Sequence, residues 1–190
     1  MLLVLTAHAL AQNRPINQQR FDGQWWISAA PEEQQGFVAG YGDCYDEDVK
    51  GPTKSNGRLF EYPQAVTDFY KKHPQQIATP LRQVLWNVFT TLETKYPAQP
   101  GGEVWDEPHG FFDGQYWKES VPKERVGYIE GYLLCYENEM KRPPAHFSKG
   151  AREYVELITN YFSDRHANHE DDKIANVLYR FRDQSRARPR

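Results

Sequence analysis

FDGQWWISAAPEEQQGFVAGYGDCY, residues 21–45, returns as FDGQYWKESVPKERVGYIEGYLLCY, residues 112–136, at an ungapped offset of 91 with 12 of 25 positions identical. The matches include Pro31 with Pro122, Gly36 with Gly127, Gly40 with Gly131, Tyr41 with Tyr132 and Cys44 with Cys135. Such density exceeds what shared composition produces, and repetition on this scale organises the rest of the reading. At offsets of 92 and 93 the pattern continues, pairing Tyr62 with Tyr154, Val66 with Ile158, Leu85 with Leu178 and Trp86 with Tyr179. The chain thus reads as repeat 1 over 21–95, a connector over 96–111, repeat 2 over 112–183 and a basic tail over 184–190. A unit of about 90 residues alone has little core to bury, and two copies can cover each other's apolar faces. The expected fold is one all-α domain, an internally duplicated helical bundle with two pseudo-symmetric units of about three helices each.

Within each unit, apolar spacing of three and four residues predicts the helices. In repeat 2, Ser120 is a candidate cap for a helix from about Val121, with Glu124 near its positive end and a stripe of Val126, Tyr128, Ile129, Tyr132, Leu133 and Tyr136. Its counterpart begins near Pro31 and carries Phe37, Val38, Tyr41 and Tyr45. A second helix is expected over Tyr62 to Lys72. A third follows Thr79 as cap and Pro80 in the first turn, running through Leu81, Leu85, Val88, Phe89 and Leu92 to about Lys95. Repeat 2 places the matching helices over Ser148 to Phe162 and Asp171 to Phe181. In the leaders, the Asp-Gly steps at Asp22 and Asp113 leave a hairpin open, although no alternating strand follows either.

Composition sets limits on function. Ten Phe, five Trp and twelve Tyr among 190 residues supply far more apolar surface than a solvating polymer carries. A net charge of −3 provides no global basic field, so no nucleic-acid partner is expected. The arginines from Arg180 to Arg190 read as an exposed arm. The opening MLLVLTAHALA, residues 1–11, has the apolar run and small-residue exit of a secretory signal peptide without its basic start, and its removal leaves Gln12 to Arg190. The competing reading is a buried N-terminal helix or strand. No later run has the roughly 20 apolar residues of a membrane span, so no transmembrane segment is expected in the mature chain.

Export admits a disulfide. If a twofold axis runs between the two glycine-bearing helices, Cys44 and Cys135 face one another across it; otherwise they are two buried thiols. Gly36, Gly40, Gly127 and Gly131 sit at GxxxG spacing, which lets helix backbones approach closely, with a ligand groove as the second reading.

The remaining chemistry is sparse. Trp25, Trp26, Tyr41, Tyr116, Trp117 and Tyr132 are the candidate binding aromatics, weighed against a role as core anchors. Asp22 and Asp113 are expected to accept local backbone hydrogen bonds, ahead of a reading as paired hydrolytic carboxylates. The acidic run Asp43 to Gly51 departs from EF-hand spacing and reads as a solvated turn. His166 and His169, three apart with Asp164 and Glu170 nearby, are candidate metal ligands, with His146 or a carboxylate completing the set. His109 has no identifiable catalytic companions. No cofactor is expected. The leading expectation is an exported noncatalytic binding or scaffold protein in the periplasm or outside the cell, recognising an envelope or extracellular protein or peptide. The alternatives are a small hydrolase with polar residues in the inter-repeat cleft and a weak metal-binding protein.

Overall fold

The computed structural model describes residues 21–45, 61–95, 112–140, 147–164 and 169–182. These form an all-helical domain with no sheet. Its elements are α1 (Gly23–Ser28), α2 (Pro31–Cys44), α3 (Glu61–Lys72), a 3-10 turn (Pro74–Gln76), α4 (Leu81–Lys95), α5 (Gly114–Glu119), α6 (Pro122–Glu139), α7 (Ala151–Phe162) and α8 (Ile174–Arg180). No helix among the described residues is long and apolar enough to cross a membrane. The expected signal peptide, connector and tail lie outside the described residues.

The leaders are helical, which corrects the hairpin alternative. Asp22 accepts from the backbone N–H of Gln24 at 2.9 Å and of Trp25 at 3.2 Å, and Asp113 does the same for Gln115 and Tyr116 at 3.0 Å each. A carboxylate that satisfies two orphan N–H groups starts a helix where an Asp-Gly turn would otherwise reverse the chain. The two leader helices bring the described halves to four helices apiece. They also displace the expected cap: Ser120 closes α5 through its N–H to the Tyr116 carbonyl, and α6 starts from Val121 with Pro122 in its first turn and no side-chain cap.

The later helices begin about three residues beyond the expected Ser148 and Asp171, at Ala151 and Ile174. In the second case the delay has a visible cause. Lys173 forms an isolated bridge with Asp113, and the N–H of Ile174 donates to the Phe112 carbonyl at 2.9 Å. The first half repeats this clasp, with Pro80 bridged to Asp22 and the Leu81 N–H on the Phe21 carbonyl at 2.9 Å. Each leader is thus tied to the entry of its half's last helix.

The centre of the molecule is the α2–α6 pair, the most extensive contact between elements. Cβ atoms placed on Gly36 and Gly40 would overlap the carbonyls of Glu124 and Tyr128; Cβ atoms on Gly127 and Gly131 would overlap those of Glu33 and Phe37. The contacts climb both helices together, so the pair runs parallel. Each glycine lies against the carbonyl three residues before a glycine of the other helix. The cost of glycine in a helix, about 1 kcal/mol against alanine, is offset by contact that no side chain would permit.

Neither central helix has the single apolar stripe expected for α6. Residues 36–41 of α2 and 127–133 of α6 are buried without interruption, as befits helices enclosed on all sides. Around them α3 and α7 bury one face each, through Val66 and Tyr70 and through Tyr154, Ile158 and Phe162.

Candidate functional site

Most of the aromatics singled out in the sequence work inside the fold. Trp26, Trp117, Tyr41 and Tyr132 are buried and present no surface to a partner. The Trp26 indole N–H donates to the Thr67 hydroxyl at 3.0 Å, and that of Trp117 to the Thr159 hydroxyl at 3.1 Å. These paired bonds anchor α1 to α3 and α5 to α7. Trp25 is half-buried, its ring 5.0 Å from Phe21 and 4.8 Å from Phe37. Tyr116, also half-buried, sits 5.1 Å from the Phe112 ring. Tyr132 lies between Tyr128 and Tyr136 in a stack along α6, with centroids 6.3 and 6.5 Å away.

The buried hydroxyls are tied to acids. Tyr41 donates to Glu139 at 3.0 Å, Tyr116 to Glu124 at 3.1 Å and Tyr128 to Asp43. Burial first, and then the adjacent carboxylate, holds all three well above the ordinary tyrosine range. They act as hydrogen-bond donors that fix helix ends. Asp43 consequently serves the α2–α6 pair, and residues 46–51 of the acidic run lie outside the described residues.

Cys44 and Cys135 are buried and meet at disulfide-bonding distance, with Cα atoms 6.1 Å apart. Asp22 and Asp113 each cap their own helix, so the local role expected of them is the one they occupy.

The expected histidine pair is divided: His166, like His146 and His109, lies outside the described residues. His169 belongs instead to a cluster over α7, α8 and the segment joining them. Its Nδ1 is 2.9 Å from Asp172 Oδ2, and the Tyr161 hydroxyl donates to the same oxygen at 2.5 Å. Arg180 Nη1 donates to the Tyr161 hydroxyl at 2.8 Å, with the guanidinium carbon 5.0 Å from that ring's centroid. The imidazole packs against the same tyrosine at a tilt of 31°, centroids 4.0 Å apart. The Tyr161 bond is the main cause holding the Asp172 carboxyl below its usual range, with His169 and Arg180 adding to it. Beside the cluster Lys118 pairs with Glu170 at 2.7 Å.

The corresponding places in the first half hold none of this chemistry. Tyr161, His169, Asp172 and Arg180 stand where the 92 and 93 offsets place Phe69, Ile77, Thr79 and Asn87. In the two halves Ile77 lies against Gly23 and His169 against Gly114. Four neutral or apolar positions in one half are therefore a connected, partly exposed polar network in the other. Sequence reading singled out His169 as a metal ligand and placed Arg180 in an exposed arm, whereas Arg180 is the last residue of α8 and bonds to Tyr161; substitution at aligned repeat positions was the signal for Tyr161 and Asp172.

Chemically, the network directs Nδ1 of His169 at a carboxylate. Arg180 keeps further N–H donors beyond the one spent on Tyr161. Among the described residues no serine, threonine or cysteine side chain bonds to His169, and no group of three metal-ligating side chains forms. No family model, curated protein or solved structure matches the chain.

Proposed function

We propose that this chain is an exported, noncatalytic recognition scaffold that binds an envelope or extracellular protein or peptide. In this reading residues 1–11 are removed, 12–190 form one domain, and repeats 21–95 and 112–183 are two copies of one helical unit about a pseudo-twofold axis. The reciprocal glycine contacts, the paired Trp–Thr bonds and the paired leader clasps support the duplication. The cysteine pair supports an oxidising compartment, periplasmic or extracellular.

The observation that carries the binding role is the one-sided elaboration at Tyr161, His169, Asp172 and Arg180. At these four positions the second half carries a connected polar group where the first half has Phe69, Ile77, Thr79 and Asn87. Arg180, held over the Tyr161 ring and bonded to its hydroxyl, is pre-organised to meet a carboxylate or carbonyl of a partner, with part of its rotamer freedom already spent.

The test is capture from native extract with the wild type and with a variant returning the four positions to their first-half residues: Tyr161→Phe, His169→Ile, Asp172→Thr and Arg180→Asn. The reading expects a specific protein or peptide on the wild type that is lost from a variant of unchanged helix content. Equal recovery on both would contradict it. The second reading, a small hydrolase, draws on the His169–Asp172 pair, whose geometry suits proton transfer. Turnover abolished by His169→Gln would favour it.

A further inference from the structure

Glu130 lies midway along α6 with 0% of its surface exposed, and neither carboxyl oxygen has a hydrogen-bond partner. The matching position in the first half is Ala39, also buried, so the architecture accepts a side chain there with no polar group at all. An isolated carboxylate without hydrogen bonds is strongly disfavoured in such a setting, and the protonated acid is the form that fits. Among the described residues two charged groups act on it from the packed elements: Glu33, itself 4% exposed, from the first turn of α2, and exposed Arg152 from the first turn of α7. Desolvation is the leading cause that raises the Glu130 pKa well above the usual glutamate value; Glu33 adds to it and Arg152 opposes it.

The surroundings are unequal in their resistance to opening. The α2–α6 contact is locked by the four glycines and by the cysteine pair, which sits little more than a turn beyond Glu130 along α6. The contact of α6 with α7 is much smaller. An ionised Glu130 therefore gains water, and approaches Arg152, most cheaply by displacing the start of α7.

We propose that Glu130 is a proton-operated latch: neutral, it lets α7 close against α6, and on losing its proton it opens that boundary while the α2–α6 pair stays joined. The closed form holds a proton that the open form releases. Closure is thus fully favoured below the ordinary glutamate value and is lost as pH rises through the raised value of the buried acid. One proton per molecule changes the closed-to-open ratio by up to about tenfold per pH unit within that window. This inference does not depend on the proposed binding role, and its test uses no partner.

The experiment measures hydrogen-exchange protection of the α7 amides and the folding equilibrium in urea, from about pH 5 to about pH 9, for the full chain and for Glu130→Gln and Glu130→Ala. Protection factors corrected for intrinsic rates should fall with rising pH in the wild type and stay level in both variants. The wild-type folding constant should lose up to about tenfold per pH unit relative to either variant. Glu33→Gln, which removes the facing acid, should lower the closed-form Glu130 value and so reduce the total fall in protection between low and high pH. Wild-type and Glu130→Ala profiles that superimpose across the range would overturn the latch, and Glu130→Ala preserves the test should the glutamine variant not fold.

Discussion

Cys44 and Cys135 occupy the same place in the two copies of the 25-residue segment and meet at the C-terminal part of the α2–α6 contact, Cα atoms 6.1 Å apart. The glycine contacts along the same pair of helices are reciprocal: Gly36 on Glu124 with Gly127 on Glu33, and Gly40 on Tyr128 with Gly131 on Phe37.

Replacing both cysteines with serine should cost about 4 kcal/mol of folding stability, because the bond closes a loop of sequence separation 91. Urea denaturation of oxidised wild type against the double variant measures it. Two alkylated cysteines in the unreduced, unfolded protein would show that no bond had formed.

Gly131→Ala should destabilise by about 1–3 kcal/mol, even though alanine is the better helix former. The new methyl collides with the Phe37 carbonyl, a backbone atom that cannot rotate away. Gly40→Ala, which meets the Tyr128 carbonyl, should behave alike. Thermal denaturation of the two variants decides whether the seam is as tight on both sides.

Each leader cap should be worth about 1 kcal/mol, read as the loss on Asp22→Ala or Asp113→Ala in chemical denaturation. Their bonds are locally confined, so the losses should add in the double variant. A much larger loss for one of the two would mark a role beyond capping.

The α7–α8 cluster should respond to acid. The Asp172 carboxyl titrates below the ordinary aspartate value of 3.8, chiefly through the Tyr161 hydroxyl. Its stabilising contribution is therefore complete above that value and is lost as pH falls through the lower folded one. Tyr161→Phe should return the Asp172 titration toward 3.8, followed by the side-chain carboxyl carbon in NMR.

The helical class, the glycine contact and the meeting of Cys44 with Cys135 were legible because the repeat supplies a second, aligned reading of each feature. Ser120 was misread because a good capping residue looks the same whether it starts one helix or stands at the end of another. The six candidate aromatics look identical in sequence whether they are presented or enclosed, and the Trp26–Thr67 and Trp117–Thr159 bonds depend on contacts some 40 residues away. Glu130 was invisible for the opposite reason. A glutamate in a helix ordinarily faces water, and only the enclosure of α6 on every side turns it inward.

The central claim joins an exported chain to a seam closed by one disulfide, and a single intact-mass measurement on protein from its native compartment, unreduced, tests both parts. The account predicts a chain beginning at Gln12 whose mass rises on reduction by the two hydrogens of one disulfide. A chain still beginning at Met1, with Cys44 and Cys135 as free thiols, would contradict it.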